Sequence, residues 1–262
     1  VLIPLALLKL VLLENRMRPT LWICSLLTLA VFAADAPKTT KPASKPLAEQ
    51  PLRMEKDIQA FEAKDKANPP PQHALLLSGA STLRMWKGAA EAFSPYPVIN
   101  RGFGGSYTTE VLGYMDRITL PYHPRVVLFH CGGNDVNNAG DPPSAPLGRI
   151  REYVKRLRKE NPDTAVVFMA TTRAPSRRNK WAELDQFNEG LAAYCKEEKN
   201  VWFVDINTAL NEANGEGKKD HYLKDNLHPS ELGYQAITKV VRPAVDEAWK
   251  ATAAAFEKPA AK

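Results

Sequence analysis

The sequence predicts an α/β domain built on a five-stranded parallel sheet with helices on both faces, a three-layer α/β/α sandwich. Two observations carry this. Short apolar runs occur at 74–77, 97–99, 126–130, 165–170 and 201–204. Each is near-continuous rather than alternating, as expected of strands covered on both sides. Between and after them lie stretches with helical patterning, at about 84–93, 107–117, 145–160, 182–199 and 230–250. Strand–helix alternation of this kind gives a parallel sheet with crossover helices. The chain has 262 residues, 44% hydrophobic and 24% charged, enough for one sizeable core.

The segments outside this repeat are read as follows. Met17 and Arg18 precede an apolar run at 21–32, followed by Ala33 and Ala34. A positive start, an apolar core of roughly a dozen residues and a small-residue exit describe a secretory signal peptide, with cleavage after Ala33. Residues 1–33 are therefore read as an extension plus signal, with Met17 as the start. A single N-terminal anchor is the competing reading, interrupted by Glu14, Arg16 and Arg18. Residues 34–50, rich in Pro, Lys, Ala and Thr, read as a flexible linker. The domain is placed at 51–250, opening with an amphipathic helix at 52–66, and 251–262 read as a polar Ala/Lys tail. Cys24 falls in the signal and lacks the context of a lipoprotein site. Cys131 and Cys195 are expected as buried free thiols, a disulfide being the alternative, and no cysteine spacing suits a metal.

The formal net charge of +6 is scattered, without a basic run interleaved with aromatics. A nucleic-acid partner is not expected. No membrane span is expected once the signal is removed, and nothing speaks to a particular oligomeric state.

In parallel sheets ligands bind at the carboxyl ends of the strands, so the residues following each strand are the candidates. After the first comes Ser78-Gly79-Ala80-Ser81-Thr82, a serine at a strand-to-helix turn. After the second, Asn100-Arg101-Gly102-Phe103-Gly104-Gly105-Ser106 predicts a tight loop of bare backbone amides. It is no dinucleotide fingerprint: Tyr107 stands where the last small residue belongs, and the loop follows the wrong strand. After the third, Cys131-Gly132-Gly133-Asn134-Asp135 offers a side-chain amide donor. Before the last helix, Asp225-Asn226-Leu227-His228 can pair a carboxylate with an imidazole. Each feature alone has an ordinary structural explanation. Together they supply a nucleophile, a base, its orienter and three oxyanion donors, the parts of an acyl-transfer site.

With these residues in order, the sequence resembles the SGNH hydrolases, also called GDSL-type lipases and esterases, over about residues 53–249. Gly79-Ala80-Ser81-Thr82-Leu83 stands at the nucleophile block, Gly105 at the family's glycine, Asn134 at its asparagine, and Asp225 with His228 at its closing Asp-x-x-His. Asn-Pro-Pro-Pro at 68–71, Leu-Arg-Met-Trp at 83–86 and Leu-Pro-Tyr-His-Pro-Arg-Val-Val at 120–127 look like a secreted bacterial subgroup. The resemblance implies a flavodoxin-like fold and a serine ester hydrolase needing no cofactor or metal. Ser81 would be nucleophile, His228 base and Asp225 its orienter; the N–H groups of Ser81 and Gly105 and the amide of Asn134 would form the oxyanion hole. The family's usual Asp before the nucleophile is Ala80 here, which alters local hydrogen bonding rather than the proton-transfer scheme. Leu83 excludes the Gly-x-Ser-x-Gly elbow of the α/β-hydrolases.

The expected substrate is a short acyl ester, acetyl foremost, on a small molecule or a carbohydrate. Lipase-type or thioesterase action on longer chains and a catalytically silent carbohydrate-binding relative are the alternatives. No residue is singled out for substrate binding. His130 is expected as a packed strand-end histidine, and Asp135 as a loop anchor. Arg173, Arg177, Arg178 and Lys180 are expected in a solvated loop, an anionic substrate being their alternative partner. Trp86 and Trp181 are expected to pack rather than stack on sugar rings.

Overall fold

The computed structural model describes residues 52–257; the signal, start and linker proposed from sequence lie outside the described residues. The elements run α1 (Glu55–Ala67), β1 (Leu75–Gly79), α2 (Ser81–Arg84), α3 (Ala89–Ala92), β2 (Val98–Gly102), α4 (Thr108–Gly113), α5 (Met115–Ile118), β3 (Val126–His130), α6 (Ser144–Glu160), β4 (Ala165–Met169), α7 (Trp181–Glu197), β5 (Val201–Val204), α8 (Asn207–Leu210), α9 (Glu231–Ala251) and α10 (Ala253–Phe256). The five strands form one parallel sheet in the order β2-β1-β3-β4-β5. This is the sheet the apolar runs predict.

Successive strand residues point to opposite faces, and the two faces carry separate cores. Leu76, Val127, Phe129, Val166 and Phe168 pack under α1, α4, α5, α6 and α7 through Ile58, Val111, Met115, Tyr153 and Phe187. Leu75, Leu77, Val126, Leu128 and Val167 pack under α2, α3, α8 and α9 through Leu83, Phe93, Leu210, Ile237 and Val241. Both faces are apolar, so the strand sequences show no alternation. Burying a leucine fully contributes roughly 1.5–3 kcal/mol, before the entropy of ordering it.

Two predicted helices are broken. The stretch at 84–93 holds the last residue of α2 and the single turn α3. Between them Trp86 turns inward, 3% exposed, and stacks on Tyr234 of α9. The stretch at 107–117 is split at Gly113-Tyr114, where Leu52 packs against the bare Gly113 and Tyr114 is buried. In both cases a buried aromatic outweighs helical continuity. The segment from 251, read as a polar tail, begins as packed chain. Thr252 is buried and accepts from Arg125 Nε at 3.1 Å, Arg125 pairs with Glu257 at 2.8 Å, and Phe256 packs edge-on against His73. Thr252 and Glu257 thus meet a buried arginine at the amino end of β3, a partner distant in sequence. Cys131 and Cys195 are buried free thiols.

β1 and β3 are in tight contact at their carboxyl ends. Ala80 N–H donates to the His130 carbonyl at 2.9 Å. Gly79 there has φ +143°, and a Cβ on it would lie 2.2 Å from that same carbonyl oxygen. Gly79→Ala would meet both backbone strain and a clash with main chain that cannot move aside. It is expected to cost about 3 kcal/mol or more, read from urea unfolding; a loss below about 1 kcal/mol would show that β1 and β3 can part there without penalty.

Candidate active site

The nucleophile candidate is carried by the turn that leaves β1. Ala80 is extended (φ −90°, ψ −165°), and Ser81 opens α2. As the first helical residue, Ser81 has an N–H with no intrahelical acceptor. α2 is a single turn and is held from outside. Asn100 Nδ2 donates to the Leu83 carbonyl at 2.7 Å, and Tyr234 Oη donates to the Thr82 carbonyl at 2.8 Å. β2 and α9 thus fix where Ser81 points.

The acid–base pair arrives on the loop before α9. Asn226 adopts φ +53°, and Leu223 N–H closes the loop on the His228 carbonyl at 2.8 Å. This brings His228 Nε2 to 2.8 Å from Ser81 Oγ, across 147 residues of sequence. On the other side of the ring, His228 Nδ1 lies 2.6 Å from Asp225 Oδ2. An ionised carboxylate can only accept, so Nδ1 carries the proton and Nε2 is left to accept from the serine. Asp225 Oδ1 also accepts from the backbone N–H of Leu227 at 2.9 Å and of His228 at 3.0 Å. Burial opposes ionisation of Asp225, but these donors together hold its carboxyl below the usual aspartate range.

The oxyanion candidates come from the loops after β2 and β3. Gly105 turns in the left-handed region at φ +69°, and its carbonyl accepts from Arg53 Nη2 at 3.1 Å. Arg53 also forks onto the buried Glu110, at 2.6 and 2.8 Å. The next residue, Ser106, is fully buried, and its carbonyl accepts from Asn134 Nδ2 at 3.0 Å. That amide nitrogen has two hydrogens, and one remains for a ligand. Asn134 precedes a π-helical turn over Asp135–Ala139. Asp135, 0% exposed, accepts from Thr108 N–H at 3.0 Å and from Arg149 at 3.0 Å. Burial pushes its carboxyl pKa up, against the pull of Thr108 and Arg149. Asp135 is the loop anchor the sequence suggests.

Ser81, His228 and Asn134 line one narrow cleft of about 30 Å³, with Thr82, Cys131, Thr171, Thr172, Leu227 and Arg177. Gly105 is not among the residues lining it; its loop meets the site through the Ser106 carbonyl, which accepts from Asn134. His130 lines the cleft and is also buried. Of the four cations after β4, Arg173 pairs with Asp185 at 3.6 Å, Arg178 with Glu216, and Lys180 with Glu183 at 2.7 Å. Arg177 turns inward instead, correcting the solvated-loop reading for that residue, and its guanidinium donates to Asn134 Oδ1. A lone arginine in a polar loop carries no sequence mark of its direction. Trp181 is packed as expected, with Arg173 and Arg178 stacked 4.6 and 4.8 Å from its ring centre.

Fold and site together define a parallel α/β protein with a Ser–His–Asp chain at the carboxyl edge of its sheet. Residues 76–236 match the model of the GDSL-like lipase/acylhydrolase family, and the chain belongs to that family. Human platelet-activating factor acetylhydrolase IB subunit alpha1 is 27% identical over 153 residues, 58% of this chain and 64% of that protein. The chain thus spans just under two thirds of the curated relative's length. A GDSL-like lipase from Bacteroides thetaiotaomicron superposes with a TM-score of 0.63 at 21% identity, covering 73% of this chain and 98% of its own. A carbohydrate esterase family 3 protein from Talaromyces cellulolyticus superposes with a TM-score of 0.52 at 17% identity, covering 67% and 97%. These two likenesses are of fold.

Burial pulls the His130 imidazole pKa down to about 4. Above the unfolded value near 6.5 both states are neutral at this residue. Below it the unfolded chain gains a proton that the folded chain refuses, so stability falls as pH drops towards 4. Urea unfolding should show wild type losing on the order of 2 kcal/mol more than His130→Gln between about pH 7 and 5. Parallel losses in the two proteins would mean that His130 is protonated in the folded state.

Proposed function

We propose that the protein is an exported serine ester hydrolase that cleaves short acyl esters, acetyl foremost, through an acyl-enzyme on Ser81. One observation carries the reading: the unbroken chain from Ser81 Oγ to His228 Nε2 at 2.8 Å and from His228 Nδ1 to Asp225 at 2.6 Å. In the first step Ser81 Oγ attacks the ester carbonyl while His228 Nε2 takes its proton, and Asp225 stabilises the imidazolium. The carbonyl oxygen, now an anion, is received by the N–H groups of Ser81 and Gly105 and the free N–H of Asn134. His228 then gives its proton to the leaving alcohol. Water, deprotonated by the same imidazole, releases the acid and restores Ser81. Every step uses side chains and backbone of this chain.

The acyl preference rests on the cleft. It is small, and Thr82, Thr171 and Thr172 line it rather than a run of large apolar side chains. A small, polar acyl site favours acetyl over long chains, since each unburied methylene forgoes about 0.8 kcal/mol. The names of two similar proteins, an acetylhydrolase and a carbohydrate esterase, agree with acetyl esters and with a sugar as the alcohol. Export rests on the sequence at 17–34 alone; a mature protein whose first residue is Ala34 would bear it out.

Ser81→Ala should reduce kcat on a small aryl acetate by about 10⁴-fold or more with thermal unfolding unchanged. A folded variant that keeps most of its activity would remove Ser81 as nucleophile. With wild type, kcat/KM should fall in the order acetate, butyrate, decanoate. A maximum at decanoate would overturn the short-acyl reading while leaving the nucleophile assignment standing.

A further inference from the structure

Arg177 is half-buried in the cleft wall without an acidic partner, whereas the three other cations of its loop are ion-paired. No carboxylate of the described residues lies within ion-pairing distance of it. Its place is built. Gly133 is bare where the guanidinium sits, and a Cβ there would lie 2.7 Å from Arg177 Nη1. The loop that delivers it is tied to the histidine loop, since Ser176 N–H donates to the Asn226 carbonyl at 3.1 Å. Burial lowers the guanidinium pKa, yet an arginine stays charged in proteins. A cation drawn partly out of water without a counter-charge is unfavourable unless something compensates it. In the reaction proposed above, negative charge develops next to Asn134.

The Asn134 carboxamide has a donor end and an acceptor end of nearly identical shape, so rotating it by half a turn exchanges them at little steric cost. Its neighbours differ. The Ser106 carbonyl requires the nitrogen end at 3.0 Å, and the Arg177 guanidinium requires the oxygen end. A flipped amide would set N–H against N–H on one side and oxygen against oxygen on the other. We infer that Arg177 is a positioning residue of the oxyanion hole, holding the Asn134 amide by its oxygen so that Nδ2 faces the acyl oxygen. The bond also polarises the amide and leaves a positive charge on the far side of the Asn134 amide from the developing oxyanion. This assignment rests on the ester-hydrolase reading of the same site.

The test is a double-mutant cycle on the full chain with a neutral aryl acetate, measuring kcat and KM for wild type, Arg177→Met, Asn134→Ala and the double variant. Arg177→Met should lower kcat about 10- to 100-fold with KM within about threefold, a part of what losing a whole oxyanion donor costs. In the Asn134→Ala background the same change should cost less than about threefold, because the amide it orients is gone. Arg177→Lys, which keeps the charge but not the fork, should recover part of the loss. It also serves as the second variant should Arg177→Met fail to fold. An undiminished cost in the Asn134→Ala background would overturn the inference, as would an unchanged kcat. A rise in KM confined to anionic esters, with kcat intact, would make Arg177 a substrate contact instead and also overturn it. Ser81→Ala separates the two levels: if that variant stays active the hydrolase reading fails, and if it is inactive while Arg177 variants are not, only this inference fails.

Discussion

The site depends on the contact between the carboxyl ends of β1 and β3, where the bare α-carbon of Gly79 lies under the His130 carbonyl and Ala80 N–H donates to it. β1 has β2 on one side and β3 on the other. The chain therefore leaves these three strands into loops that flank a single crevice, the switch point of an open parallel sheet. Ser81 lies at the middle of that crevice because it is two residues past the end of the middle strand. Its neighbours follow from the same order: the Gly105 loop continues β2, and the Asn134 loop continues β3. Strand adjacency thus sets Ser81 and Asn134 on one cleft, with the Gly105 loop beside it, and local bonds adjust them.

Those local bonds brace the two outer loops against each other. Asn134 reaches Ser106 while its neighbour Asp135 reaches Thr108, two residues further along the facing loop. Arg149 reaches over from α6 to close the second contact, and Arg53 clamps the Gly105 carbonyl to Glu110 from the amino-terminal segment. A buried carboxylate such as Asp135 is costly unless its oxygens are filled; here the backbone amide and hydroxyl of Thr108 and a guanidinium fill them. Such a network resists displacement, because moving either loop would strand a buried charge.

The strands were legible in the sequence because both faces of the sheet are covered and their apolar starts have no polar interruption, although β2 continues through Asn100 and Arg101, where the apolar run has ended. Ser81, Asn134, Asp225 and His228 were legible because each stands beside a strand end or a helix start in an order that chance rarely produces. Three features were not. The breaks in the stretches at 84–93 and 107–117 come from Trp86 and Tyr114 finding buried sites, and helical patterning is blind to a partner such as Tyr234, far along the chain. The ordered turn after α9 depends on Arg125 reaching Thr252, and an Ala/Lys sequence bears no trace of that. Arg177 sits among three other cations of the same loop, and only the space left by Gly133 separates its fate from theirs.

The two halves of the site are built in opposite ways, as the proposed chemistry requires. Asn134, Asp135 and Ser106 are buried, whereas the Asp225 side chain is 46% exposed and that of His228 is 18% exposed. An oxyanion is stabilised best by fixed dipoles in a water-poor setting, where each hydrogen bond is electrostatically stronger and no reorganisation is needed. A base that must accept a proton, return it and then activate water needs a route to solvent. Exposure weakens a lone Asp–His contact, so the carboxylate cannot rely on burial to hold the ring. It relies on geometry: Asp225 accepts from the ring and from two backbone amides of its own turn, which fixes it from three sides while leaving it hydrated. The Asp-x-x-His spacing is the shortest that allows this, since the amides that anchor the carboxylate belong to the residue before the histidine and to the histidine itself.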